Sequence, residues 1–224
     1  MKPVALILSG SGRADGSEIH EAVCTLLALS RRDMPVKIFA PDMPQFRVMD
    51  HLSGRPMAES RNVLTEAARI ARGKITPLSE LDIDDVSAII LPGGIGASAN
   101  LCSYAQDGVR CEVEKDVFRV LSAAMARQLP LGFICIAPVL GAVVAAKLGV
   151  SLTLTVGDDP HTAADIEALG CVHQISDARN CVTDAAHRVV STPAYMSAPD
   201  IAACFAGISE LVEALGVMIE ARKA

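Results

Sequence analysis

Pro130-Leu131-Gly132-Phe133-Ile134-Cys135-Ile136-Ala137-Pro138 is the stretch on which the fold turns. Its apolar residues run as a strand straight into Cys135, and Pro138 falls where the first turn of a helix tolerates a missing N–H. Gly149 lies just past the other end of that helix. Cys135 is therefore expected at a sharp strand-to-helix turn, against a helix N-terminus. Unpaired N–H groups and the helix dipole favour thiolate over thiol at such a place, so the sequence predicts a lowered pKa and a reactive sulfur. The arrangement parallels a hydrolase nucleophile elbow, although the G-x-S-x-G spelling is missing. A free cysteine that fills core space is the plain alternative.

Working outward, Leu129 to Ala146 carries no charge and is long enough to suggest a membrane span. Pro130, Gly132, Pro138 and Gly141 divide it instead into a buried strand, a turn and a helix. The same alternation fills the chain. Strands are expected at Val4–Ser9, Val36–Ala40, Ala88–Leu91, Leu131–Ile134, Leu152–Val156, Cys171–Gln174 and Val189–Thr192. Helical periodicity covers Glu18–Arg31, Arg61–Arg72, Glu114–Arg127, Ala137–Leu148, Ala163–Leu169 and Ile201–Ala221. This is the pattern of an α/β protein, a mostly parallel sheet with helices on both faces, and residues 1–224 are read as one domain. Pro41 to Pro56 reads as an irregular excursion. The N-terminal run Val4–Leu8 superficially resembles a signal peptide, but it is short and leads into a Ser/Gly-rich loop, so it reads as the first strand. In open sheets of this kind ligands bind outside the carboxyl ends of the strands. The loops to inspect are thus Gly10–Ser17, Pro92–Ala99 and the turn at Cys135.

Composition narrows the partners. Only 3% of residues are aromatic and there is no Trp, so platforms for stacking bases are scarce. A net charge of −6, with no Lys/Arg cluster larger than a pair, lacks the footprint that a phosphate backbone needs. No nucleic acid and no membrane partner is expected. The 7 cysteines contain no C-x-x-C pair, which fits a reducing compartment and a cytoplasmic location. The histidines (His20, His51, His161, His173, His187) form no H-x-x-E-H pattern, and no metal site is expected; His161, near a strand end, is either a late arrival at the site or a surface residue.

Two further elements carry chemistry. Leu91-Pro92-Gly93-Gly94-Ile95-Gly96 follows a strand, and its glycines let the backbone approach a ligand. The amides of Gly94 and Ile136 would make an oxyanion hole; a simple glycine turn is the alternative. Gly10-Ser11-Gly12-Arg13-Ala14-Asp15-Gly16-Ser17-Glu18-Ile19-His20-Glu21 almost spells a dinucleotide loop, but its last glycine is one residue late. Asp15, Glu18 and Glu21 would also crowd the place of a pyrophosphate. Glu18 suits the helix dipole in the first turn. Glu21 lies deeper, on the flank of an apolar Ile19/Val23/Leu26 stripe. If it meets Cys135, glutamic acid and thiolate share one proton. Otherwise it is a solvated helix carboxylate.

Taken together, Asp15-Gly16-Ser17-Glu18-Ile19-His20-Glu21, Arg61-Asn62-Val63-Leu64, Pro92-Gly93-Gly94, Gly132-Phe133-Ile134-Cys135-Ile136-Ala137-Pro138 and Thr192-Pro193-Ala194-Tyr195-Met196 resemble the ElbB-like branch of the ThiJ/PfpI superfamily, across nearly the whole chain. Ser11 and Ala99 stand where that branch usually has a cysteine and a lysine. The resemblance implies a class I glutamine amidotransferase-like fold, a flavodoxin-like, Rossmann-like three-layer sandwich. It implies Cys135 as nucleophile, Glu21 as its acidic partner and Gly94 as an oxyanion donor, with Glu18, Gly93, Ser11 and Asn100 toward the substrate. It also implies a homodimer and, from several relatives, cofactor-free glyoxalase activity on small carbonyl compounds. The leading expectation is thus a glyoxalase-like lyase on methylglyoxal or glyoxal. The alternatives are a non-enzymatic redox or stress-response protein with an oxidisable cysteine, and a nucleotide-binding oxidoreductase.

Overall fold

A computed structural model describes residues 2–222. The strands are β1 (Val4–Ile7), β2 (Val36–Ala40), β3 (Met49–Asp50), β4 (Arg55–Pro56), β5 (Thr76–Pro77), β6 (Ala88–Leu91), β7 (Leu131–Ile134), β8 (Thr153–Leu154), β9 (Val172–His173), β10 (Val182–Asp184) and β11 (Val189–Thr192). The helices are α1 (Ile19–Arg31), α2 (Val63–Ile70), α3 (Ile95–Ala99), α4 (Tyr104–Asp107), α5 (Lys115–Ala126), α6 (Ala137–Leu148), α7 (Pro160–Ala168) and α8 (Ile201–Ala221). The central sheet runs β10-β11-β7-β6-β1-β2-β5, parallel throughout except for β10 at one edge. The expected α/β three-layer sandwich is the fold.

Alternation along the strands builds two cores. Ala5, Ile7, Ile89, Leu91, Leu131 and Phe133 face a core completed by α5, α6 and α7. Val4, Leu6, Leu8, Ile90, Ile134 and Val190 face the other, completed by α1, α2 and α8. Strands buried on both faces read as unbroken apolar runs, which is why β1, β6 and β7 stand out in the sequence. The uncharged stretch Leu129–Ala146 is β7, a turn and α6. Buried nearly all round, α6 approaches so closely that a Cβ on Gly141 would stand 2.9 Å from the Phe133 ring. Gly149 ends the helix at φ +67°, the left-handed cap a glycine adopts without strain. Among the described residues α8 alone has the length and apolarity to cross a membrane; here it packs against α1, β7 and β11.

Several expectations need correction. The segments expected as strands near 152–156 and 171–174 pair only with each other, as β8 and β9, outside the main sheet. Edge strands β5 and β10 are too short for a period to register, and the excursion at 41–56 contains the small β3–β4 hairpin. Short helices α3 and α4 were not expected. On α1 the expected Ile19/Val23/Leu26 stripe is not the core face: Ile19 and Val23 are exposed and Leu26 is half-buried, while Glu21, Ala22, Cys24, Thr25, Ala28 and Leu29 are buried.

Chain order reverses between β1 and β6. From β1 the chain goes to β2 and β5 on one side, then returns to build β6, β7 and β11 on the other. The crevice at the carboxyl ends of β1 and β6 is the place where such folds bind ligands. The loops after β1, β6 and β7 converge there.

Candidate active site

Register brings the parts together. Leu91 pairs with Phe133 and Thr192 with Ile134, so continuing the ladders sets Gly93 beside Cys135 and Pro193 on its other flank. The Cys135 N–H donates to the Thr192 carbonyl at 2.9 Å, which extends the β7–β11 ladder into the turn. Cys135 itself adopts φ +62°, a left-handed conformation that a non-glycine residue holds only under constraint. Ile136 caps α6 behind it, with a proline in the first turn.

Glycine at 93 is a matter of space. A Cβ there would lie 2.5 Å from the Cys135 Cβ, 2.8 Å from Glu21 Oε2 and 3.0 Å from Cys135 Sγ. Gly94 is a matter of both space and torsion, because it sits at φ +89° and a Cβ would meet Glu18 N and Gly16 O at 2.4 Å. The amides of Gly94 and Ile136 hydrogen-bond to the Cys135 sulfur.

Glu21 is fully buried on α1. Its Oε2 accepts the Gly93 N–H at 2.9 Å, its Oε1 accepts the Tyr195 N–H at 3.4 Å, and the Cys135 thiol is a hydrogen-bond partner. Burial raises its pKa to about 8; the nearby Glu18 adds to this, and the hydrogen bonds to Cys135, Gly93 and Tyr195 oppose it. Burial likewise pushes the Cys135 thiol up, helped by the Glu21 carboxylate and only partly countered by the two amides. The expected lowering of the Cys135 pKa is thus corrected: the turn does aim amides at the sulfur, but removing it from water outweighs them.

The remaining residues divide. Glu18 is the N-cap of α1, where its Oε2 accepts the Glu21 N–H at 2.7 Å and its own N–H donates to Gly93 O at 2.9 Å. It is buried and binds the α1 loop to the β6 loop. Asn100 is a framework residue: its Nδ2 donates to Ser9 O and Asp15 O, both at 2.9 Å, and its Oδ1 accepts the Phe46 N–H at 2.9 Å. Ser11 is partly exposed in a loop that closes on itself, with Gly12 N donating to Ser17 O and Gly16 N to Gly12 O. Those amides are taken up internally, which argues against a pyrophosphate cradle. His161 is exposed in the first turn of α7. Among the described residues no group of three or more His, Cys, Asp or Glu is arranged to hold a metal ion.

Sequence reasoning missed the turn after β11. Ala194 at φ +44° presents the Tyr195 N–H to Glu21, and the Tyr195 hydroxyl meets His20 Nδ1 at 2.8 Å. The Thr192–Met196 run was visible, but an alanine gives no signal of a left-handed turn.

A human protein named glutamine amidotransferase-like class 1 domain-containing protein 3, mitochondrial, is 44% identical over 96% of this chain and 80% of its own length. The chain belongs to the ES1/ElbB-like proteins of the class 1 glutamine amidotransferase-like family. No family model matches it. Among solved structures, an Ehrlichia chaffeensis isoprenoid biosynthesis protein with an amidotransferase-like domain superposes on this ES1/ElbB-like chain with a TM-score of 0.90 at 28% identity, covering 96% of this chain and 99% of that one. Drosophila melanogaster DJ-1beta shares the fold, with a TM-score of 0.53 at 18% identity over 100% of this chain and 99% of its own. The cytoplasmic expectation is corrected by the names of the relatives: the human protein, like two other ES1 relatives, is called mitochondrial.

Proposed function

We propose that this ES1/ElbB-like protein is a glyoxalase-like lyase that converts small 2-oxoaldehydes such as methylglyoxal and glyoxal into 2-hydroxy acids. The observation that carries the reading is the Cys135 thiol hydrogen-bonded to a buried carboxyl group whose pKa is about 8, with two amides converging on the sulfur. A buried carboxyl poised near working pH suits proton transfer, and sulfur is the nucleophile beside it.

In the working form the pair holds a single proton. The sulfur adds to the aldehyde carbon, and the oxyanion lies one bond beyond the sulfur, within reach of the Gly94 and Ile136 amides. The shared proton passes from Glu21 to that oxygen, giving a hemithioacetal and a free carboxylate. Glu21 then takes the C1 proton, forming an enediolate, and returns it to C2. The C1 hydroxyl proton moves to the C2 oxygen, and a thioester of the 2-hydroxy acid remains on Cys135. Water cleaves the C–S bond, releasing the acid and restoring the thiol. The sum is one aldehyde and one water to one hydroxy acid.

Exposure of Cys135 is only 8%, which favours substrates of a few atoms. The test is conversion of methylglyoxal to lactate by purified protein without glutathione. Cys135→Ser is expected to abolish it, and an unchanged rate in that variant would sink the mechanism.

A further inference from the structure

Beyond α3 the chain forms a small two-armed ladder. Cys102 bridges Val113 in antiparallel fashion, Ser103 N donates to Glu112 O at 2.9 Å, and Glu114 N donates to Leu101 O at 2.9 Å. Cys111 is extended at φ −66°, ψ 155°, two residues before Val113. Alternate residues of an extended arm share a face, so Cys111 and Val113 point to the same side as Cys102. Both cysteines are buried, and their sulfurs are hydrogen-bond partners. Neither belongs to the Cys135 site.

We propose that Cys102 and Cys111 form a reversible redox pair that closes to a disulfide when the protein meets a hydroperoxide. The hydrogen bond with the Cys102 thiol, opposed by burial and aided by the Lys147 ammonium, holds the Cys111 thiol below its ordinary value, which makes that sulfur the first to react. It attacks the peroxide, the O–O bond breaks, one water leaves and a sulfenic acid remains. The Cys102 sulfur then displaces the sulfenic oxygen, which departs with the Cys102 proton as a second water. Two thiols lose two electrons and two protons, and one molecule of hydrogen peroxide becomes two of water.

Diagonal partners across an antiparallel pair have Cα atoms about 7–8 Å apart. A relaxed disulfide spans at most about 6.8 Å, so closure draws the arms together and leaves a bond that reductants open readily. It also pulls the Cys102 thiol off the carbonyls of Ala97 and Ser98, now 3.5 and 3.8 Å away, at the end of α3. Helix α3 is capped at its N-terminus by Gly94, whose amide holds the Cys135 sulfur. Closure therefore alters Cys135 reactivity; this coupling rests on the reading of the Cys135 site, whereas the disulfide does not.

The experiment treats the full-length protein with a few equivalents of hydrogen peroxide, blocks free thiols with N-ethylmaleimide under denaturing conditions, and digests with trypsin without reduction. Arg110 separates the two cysteines into peptides Ile75–Arg110 and Cys111–Lys115. The expected product joins these two, is lighter than their sum by two hydrogens, and disappears with dithiothreitol; it is absent in Cys111→Ser. Iodoacetamide labelling of Cys135 in the oxidised protein is expected to change at least threefold. Both cysteines recovered as maleimide adducts after peroxide overturns the pair. A disulfide with unchanged Cys135 labelling confirms the pair and removes the coupling.

Discussion

The carboxyl of Glu21 and the thiol of Cys135 share a hydrogen bond in a site almost closed to water, joined through Gly93, whose N–H is held by the same carboxyl. Two acids in one dry place do not both ionise at neutral pH. The pair gives up its first proton near pH 8, because burial has raised Glu21 to about 8 and Cys135 higher still. Iodoacetamide labelling of Cys135, followed by mass spectrometry, is therefore expected to be slow below pH 7 and to rise through about pH 8. Glu21→Gln removes the carboxyl and should erase that inflection. Full labelling already at pH 6 would mean that the turn amides, not burial, dominate.

The same shift sets a pH dependence of stability. Glu21 has a folded pKa of about 8 against an ordinary value of 4.5, so the native state binds the proton more tightly than the unfolded chain. Stability from this group is complete below pH 4.5 and falls as pH rises toward 8, where the loss levels off. At about 1.36 kcal/mol per unit, the full loss is on the order of 5 kcal/mol. Glutamine keeps an acceptor for the Gly93 N–H without the ionisation. Glu21→Gln should therefore match the wild type in urea unfolding near pH 5 and exceed it increasingly up to pH 8. A difference independent of pH would show that Glu21 is not held neutral.

Gly93→Ala tests the spacing of the site. The added methyl group would meet the Cys135 Cβ at 2.5 Å and the Glu21 carboxyl at 2.8 Å, and neither element is free to retreat. Overpacking of this kind costs about 1–3 kcal/mol. Methylglyoxal turnover should fall by about a hundredfold, since a misplacement of about 1 Å is enough for that. Circular dichroism should still report the native fold. Wild-type turnover in a folded Gly93→Ala protein would exclude this crevice as the reaction site.

The framework of this site is legible in the sequence where burial is complete and local chemistry agrees with it. Strands β2, β6, β7 and β11 match their expected bounds residue for residue, and α6 is bounded by Pro138 and Gly149. The meeting of Gly93–Gly94 with Cys135 follows from parallel ladders whose loops open on one side. What stays hidden depends on tertiary context. Cys135 sits at a helix N-terminus as its motif implies, yet the sign of its pKa shift is decided by how much water the surrounding loops exclude, which no local pattern records. Helix α1 carries apolar residues on both faces, Ala22, Ala28 and Leu29 inward and Ile19, Val23 and Leu27 outward, so periodicity alone does not pick out its core side. Short edge elements such as β5 and α3 owe their existence to neighbours rather than to a period.

Asn100 separates binding from framework. A polar residue beside a glycine-rich crevice is a natural substrate contact, but here the amide joins three backbone groups from two segments that share no secondary structure. Ser9 O and Asp15 O belong to the β1 loop, and Phe46 N belongs to the excursion before α2. Asn100 is 3% exposed, so in Asn100→Ala no solvent reaches the groups left behind. An unpaired buried polar group costs about 1–3 kcal/mol, and the variant is expected to lose about 3 kcal/mol or more. Kinetics at a temperature where it remains folded should show a methylglyoxal KM within about twofold of the wild type, because its side chain reaches the loops and not the sulfur. A KM raised tenfold with unchanged unfolding midpoint would return Asn100 to the substrate and overturn its assignment as the clasp of the β1 loop.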